Sequence, residues 1–152
     1  MASLEKEINQ KDFKSEHQKA LVNIIFTSSW ISGQMNSLLK PYNISMQQFN
    51  LLRILKGASP EAISMKTLSE RMIDKNSNAS RLVEKLRKKD LVDRTMSAED
   101  RRKVNVIITP KGVEVLGEAS NTIETVMLGK METISEEQAK HLNLTLDQLR
   151  NE

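Results

Sequence analysis

From Ser64 to Gly112 the chain changes hydrophobic period twice with no linker between the parts. "ISMKTLSERM" places Ser64 as a helix cap, with Leu68 and Met72 four residues apart. "DKNSNASRLVEKLRKKD" opens with Asp and Asn and carries Ala79, Leu82, Val83 and Leu86 on one helical face. "LVDRTM", residues 91–96, then reads as a strand, and "KVNVIIT" alternates Val104, Val106 and Ile108. Thr109 is a good cap for the next helix, and Pro110 suits its first position. Two short helices joined by "IDKN" fit a helix-turn-helix. With a hairpin following at once, the segment is expected to form a winged helix.

Helical patterns surround this segment. From about Ser15 to Lys40, Leu21, Ile24, Ile25, Ser28, Ile31, Met35, Leu38 and Leu39 follow i, i+3, i+4, i+7 spacing. Val22, Phe26 and Trp30 make a second apolar line, so this helix needs two partners, one of them outside its own lobe. Pro41 is expected to stop it, and residues 1–14 read as frayed. Ser45 with Gln48 fits a capping box ahead of Phe49, Leu52 and Leu55; Gly57 is expected to end that helix. After Pro110 a long helix runs to about Met131, with Val113, Leu116, Ile123 and Met127 inward. Ser135 and Gln138 suggest another capping box, before a last helix burying Leu142, Leu146 and Leu149. The expected fold class is mainly α, a winged helix-turn-helix with a two-stranded β-wing between N- and C-terminal helices.

Charge is unevenly spread. The chain of 152 residues carries a net charge of +3. Residues 64–111 hold 13 Lys/Arg against 7 Asp/Glu, whereas the remainder holds 10 against 13. A basic centre between acidic arms suits a polyanion partner, or is simply a solvated charged surface. The absence of cysteine excludes disulfides, thiolate metal sites and thiol redox chemistry. His17 and His141 offer no metal-ligand spacing, and there is no Gly-rich phosphate loop or catalytic constellation. No cofactor and no enzymatic activity are expected. No apolar run approaches the ~20 residues of a membrane span. The polar N-terminus lacks a signal-peptide core, so a cytoplasmic location is expected.

In a helix-turn-helix the second helix enters the major groove with its N-terminal residues on base edges. Asn76, Ser77, Asn78 and Ser80 supply small hydrogen-bonding side chains there, more than one cap requires. Arg81 lies one turn on, within reach of guanine or a phosphate; Lys85, Lys88 and Lys89 suit phosphates. At the hairpin tip, Asp100 and Arg102 are two apart and share a side of an extended segment, where a carboxylate can brace a guanidinium. Arginine at such a tip suits a narrow minor groove.

"LSERMIDKNSNASRLVEKLRKKDLVDRTMSAEDRRKVNVIITPKG" resembles the MarR family of winged-helix transcription regulators, most specifically in "SRLVEKLRKKDLV" and "DRRKVNVIITPKG". The resemblance implies a single domain over 1–152, with a DNA-binding lobe at 45–111 and dimerisation helices at 15–40 and 112–152. It implies that Arg102 enters the minor groove, that Asp100 orients it, and that Arg101 and Lys103 touch phosphates. It also implies a small anionic or aromatic effector between dimer helices and lobe, where Phe26, Trp30, Met35, Tyr42 and Phe49 are candidates. Where the family usually has glycine, this chain has Asp90, implying a different turn or an acidic helix-end residue.

Two functions follow. One is a homodimeric, sequence-specific regulator of transcription, a ligand-responsive repressor on a pseudo-palindromic double-stranded operator. The other is a winged-helix protein-interaction module whose basic centre is only solvated.

Overall fold

Hydroxyl and amide caps decide where the helices begin. The structure, a computed structural model, describes residues 3–97 and 103–151. Its helices are α1 (Leu4–Glu7), α2 (Glu16–Leu39), α3 (Met46–Ala58), α4 (Met65–Arg71), α5 (Ala79–Arg87), α6 (Pro110–Ile123), α7 (Gly129–Met131) and α8 (Glu136–Arg150). Ser15, Ser45, Ser64, Asn78, Thr109 and Ser135 each accept a hydrogen bond from the amide three residues on. Each thereby satisfies one of the four N–H groups that a helix start leaves open. At Ser45 and Ser135 the capping box is complete, with Gln48 and Gln138 reaching back to the cap amide. Gln48 is the buried polar side chain of the core, and this bond satisfies its oxygen.

The strands are β1 (Ile63–Ser64), β2 (Val92–Met96) and β3 (Val104–Ile108), in the antiparallel order β1-β3-β2. Val92 faces Ile108 and Met96 faces Val104, while Ile63 pairs with Val106 on the other edge. Val106 and Ile108 are buried beneath the sheet, and Val104, nearer the tip, is exposed. The sheet therefore has one more strand than its two-stranded wing. Two residues are too few to show an alternating pattern, so β1 is visible only through its partner.

The core is aliphatic and centres on α3, which buries Phe49, Leu51, Leu52, Ile54 and Leu55. Around it lie Leu39, Leu68, Met72, Val83, Leu86, Leu91, Val92, Leu116 and Ala119. Each fully buried leucine contributes about 1.5–3 kcal/mol. Tyr42 ties the start of the lobe to α6: its hydroxyl lies 2.6 Å from Thr122 Oγ1 and donates to the Glu118 carbonyl at 3.3 Å.

Two expectations are corrected. Residues 4–7 are helical rather than frayed: Leu4 is buried, and Lys19 pairs with Glu5 at 2.5 Å. That bond holds the Glu5 carboxyl down to about 2 and raises Lys19. One turn of helix shows no period, which hid it in the sequence. Within a single chain the last helix does not bury its leucines: Leu146 is half-buried, and Leu142, Leu144 and Leu149 are 45%, 67% and 66% exposed. Its apolar face meets α2 only across an apolar hollow between His17, Leu21 and Ile24 and Leu146 and Leu149.

Candidate nucleic-acid interface

The turn between α4 and α5 is built from competing side chains. Asp74 Oδ1 accepts from the Asn76 amide at 3.0 Å, and the Asp74 carbonyl from that of Ser77 at 3.1 Å. Asn50 Oδ1, on α3, accepts from the Ile73 amide at 3.0 Å. Such local bonds offer the backbone an alternative to helix. The helix therefore begins only at Ala79, past the Asp and Asn side chains with which the segment opens. Asn78 is the cap, its Oδ1 accepting from Arg81 N at 3.0 Å. Asn76, Asn78 and Ser80 are exposed around the helix start. Ser77 turns inward: its Oγ is enclosed and makes no hydrogen bond among the described residues.

From there the helix presents Arg81, Glu84, Lys85 and Lys88 at i, i+3, i+4 and i+7, opposite the buried Ala79, Val83 and Leu86. Arg81 carries no ion pair among the described residues, so its guanidinium is free for a ligand. Lys85 also lines a polar hollow of about 410 Å³ with Lys40, Lys89, Asn36 and Asn43, and Lys89 donates to the Asn43 carbonyl. Lys40 joins this cationic surface from the end of α2, a neighbour that helical spacing within α5 cannot reveal.

Glu84 is the acid among these bases. Its Oε1 lies 3.2 Å from Arg87 Nη2, and its Oε2 lies 3.2 Å from Arg94 Nη2 on β2. The bond from Arg87 lowers the Glu84 carboxyl and raises Arg87. The pair at i, i+3 was readable in the sequence, but the link to Arg94 exists only in three dimensions.

Asp90, at the position where the resemblance expects glycine, takes a glycine-like backbone conformation. Its φ is 59°, in the left-handed region. The Leu91 amide bonds the Leu86 carbonyl, and the Asp90 amide that of Arg87. This is a Schellman ending, with Leu86 and Leu91 both buried beside it. The next carbonyls are taken by the start of α6. Thr109 Oγ1 donates to Asp90 O at 2.6 Å, Thr109 N to Leu91 O at 3.1 Å, and Lys111 Nζ to Lys89 O at 3.1 Å. Thr109 Oγ1 also accepts from Gly112 N at 3.0 Å. Gly112 is required by this approach, because a Cβ there would lie 2.1 Å from Leu91 O.

Beyond Met96 and Val104 one more backbone bond, Ser97 N to Lys103 O at 3.0 Å, leads toward the tip. Lys103 is exposed. Asp100, Arg101 and Arg102 lie outside the described residues.

The five effector candidates do not share one cavity. Phe26 and Trp30 line a cleft of about 290 Å³ beneath α1, with Leu4 and Glu7. Lys130 stands over the Trp30 ring at 5.1 Å. Met35 and Phe49 line an apolar crevice of about 180 Å³ between α2, α3 and the turn, with Met46, Met72 and Arg53. Tyr42 is engaged on α6 as described. No helix among the described residues is long and apolar enough to cross a membrane.

A helix-turn-helix and a hairpin wing set between longer helices define a winged-helix fold. Residues 44–104 match the model of the MarR family, the family that the sequence resembles. No curated protein matches the sequence. The fold recurs in a MarR-like transcription regulator from Bacillus cereus at 20% identity and a TM-score of 0.78, over 90% of this chain and 99% of that one. The organohalide-sensing RdhR regulator in its 2,4-dichlorophenol-bound form is 23% identical, with a TM-score of 0.80 over 93% of this chain and 86% of that one. A mutant of S. aureus MepR bound to an oligodeoxyribonucleotide is 18% identical, with a TM-score of 0.57 over 86% of this chain and 94% of that one. At these identities the likeness is one of fold.

Proposed function

We propose that this protein is a homodimeric, sequence-specific DNA-binding regulator of transcription that represses from a pseudo-palindromic operator. The observation that carries the reading is the exposed ridge of Arg81, Lys85 and Lys88 on α5, opposite its buried face and next to the hairpin. Arg81 and the exposed amides and hydroxyl of Asn76, Asn78 and Ser80 read base edges; Lys85, Lys88 and Lys103 hold phosphates. At the wing tip Arg102 enters the minor groove, oriented by Asp100, with Arg101 on a phosphate. These tip roles rest on the family resemblance alone.

Self-association is supported by the uncovered apolar faces of the long helices. Leu21, Ile25, Leu128, Leu144 and Leu149 are all more than half exposed. Exposed apolar side chains in this number on a chain of this size suit an interface. Segments 15–40 and 112–152 thus join two copies, and 45–111 forms each DNA-binding lobe. A twofold pair would set two α5 helices on half-sites about 34–36 Å apart. An effector with an apolar body fits the crevice at Met35 and Phe49, which lies against the α4–α5 turn and has Arg53 at its rim. The oligonucleotide complex of MepR and the dichlorophenol complex of RdhR are precedents on the same fold.

A salt series tests the DNA reading. If about six phosphates are neutralised, log K falls against log salt with a slope near −5. Absence of duplex binding at low salt would refute it and favour the protein-docking alternative.

A further inference from the structure

Glu84 is an anomaly on a surface meant for a polyanion. It is the single acid of α5, and it falls in the outward series Arg81, Glu84, Lys85, Lys88. A carboxylate there repels phosphate. Its two oxygens are also occupied, one by Arg87 of the same helix and one by Arg94 of β2, each at 3.2 Å. All three side chains are between a third and a half exposed, so solvent and a duplex both reach them.

We propose that Glu84 determines specificity by withholding Arg87 and Arg94 from the phosphates of arbitrary duplex DNA. The inference rests on the DNA-binding reading above. Non-specific binding consists almost wholly of cation–phosphate contacts, and each contact adds to the salt dependence. For either guanidinium to make such a contact it must leave Glu84. That exposes an uncompensated carboxylate to the phosphate backbone. A non-cognate complex is free to shift along and around the duplex until every loose cation finds a phosphate. A cognate complex is not, because base-edge contacts fix its register. Removing the carboxylate therefore helps the wrong sequences more than the right one. Specificity is a difference of affinities, and a repulsive group raises it as well as an attractive one does.

The same triad also links α5 to the wing strand, since Glu84 bridges Arg87 and Arg94. A purely mechanical brace predicts the opposite result: loosening it would weaken every complex and leave the salt slope unmoved.

The test compares wild type with Glu84→Gln on two duplexes. One is of random sequence; the other is selected by the wild-type protein from a randomised pool. The expected result is tighter binding of the random duplex, by about 3–10-fold near 100 mM salt, with a slope steeper by about 1–2. The selected duplex gains less, so the ratio between the two falls. In an Arg87→Gln/Arg94→Gln background the same Glu84→Gln change should lose more than half of its effect on slope. Thermal unfolding of each variant confirms that it is folded. Unchanged or weaker random-duplex binding with an unmoved slope overturns the inference while leaving the DNA reading intact. A wild-type protein that binds neither duplex at low salt overturns both.

Discussion

Gly112 and Gly117 lie on the same helix, and the same substitution at each should move stability in opposite directions. At Gly112 an added Cβ would sit 2.1 Å from Leu91 O, 2.8 Å from Ile108 Cγ1 and 3.0 Å from the Leu91 carbonyl carbon. Two of these are backbone atoms that cannot swing aside. The first turn of α6 must therefore retreat by about an ångström, a strain comparable to overpacking a core at about 1–3 kcal/mol. The retreat also stretches the bonds from Thr109 N to Leu91 O and from Thr109 Oγ1 to Asp90 O. Losing them costs about 1 kcal/mol each. Gly112→Ala should therefore destabilise by about 3–5 kcal/mol. At Gly117 a Cβ meets nothing within 4 Å, and the residue is exposed. Gly117→Ala should stabilise by about 0.5–1 kcal/mol through chain entropy. Urea unfolding at one fixed protein concentration measures both, because self-association makes apparent stability depend on concentration. A Gly112→Ala protein within about 1 kcal/mol of wild type would refute the view that α6 is seated against Leu91.

Four other outcomes are expected. Asp90→Gly should stabilise by about 1 kcal/mol, by relieving a left-handed residue and removing an acid from a helix C-terminus; chemical unfolding measures it. The Glu5 carboxyl is held down to about 2, so the share of α1 docking due to its bond with Lys19 is full above the ordinary value of 4.5 and is lost as pH falls toward 2. Lys19, raised by the same bond, gives up its share only at alkaline pH. Trp30 lines the cleft under α1, so its fluorescence should follow the acid transition, and an identical titration in Glu5→Gln would disprove the assignment. Arg81→Ala should cost about 1–3 kcal/mol of discrimination between selected and random DNA; equal losses on both would make Arg81 a phosphate contact. Leu144→Glu with Leu149→Glu removes about 1.5–3 kcal/mol of burial per site, so sedimentation should show self-association weakened more than about 100-fold. An unchanged dimer would exclude α8 from the interface.

Local chemistry was the legible part. A cap joins one side chain to one amide three residues away, so Ser45, Ser64, Thr109 and Ser135 could be named from spacing, and the structure has each of them in that role. The buried faces of α3 and α5 follow from period alone. What was missed depends on partners distant in sequence. β1 exists because Val106 and Asn105 lie beside Ile63 and Ser64. The tie from the Tyr42 hydroxyl to Thr122 spans eighty residues of sequence, beyond any local pattern. The start of α5 shifted because Asp74 competes for amides that a helical reading assigns to the helix. The leucines of α8 read as buried because period reveals that a face is apolar, not which chain covers it. In the candidate site, Arg81 and Lys85 stand exposed where spacing put them, whereas the Glu84–Arg94 link could be read only across the α5–β2 corner.

The seam between α5 and α6 has a mechanical consequence. The carbonyls just past the end of α5, those of Lys89, Asp90 and Leu91, are bonded by Thr109 and Lys111 at the start of α6, which couples the two helices. A 14-residue α6 is about 21 Å long, and a tilt of about 10° at its far end would sweep the near end through roughly 4 Å. That exceeds the spacing of adjacent base pairs. Under the function proposed above, a small molecule wedged among the long helices would thus act as a lever, with α5 carried on its arm.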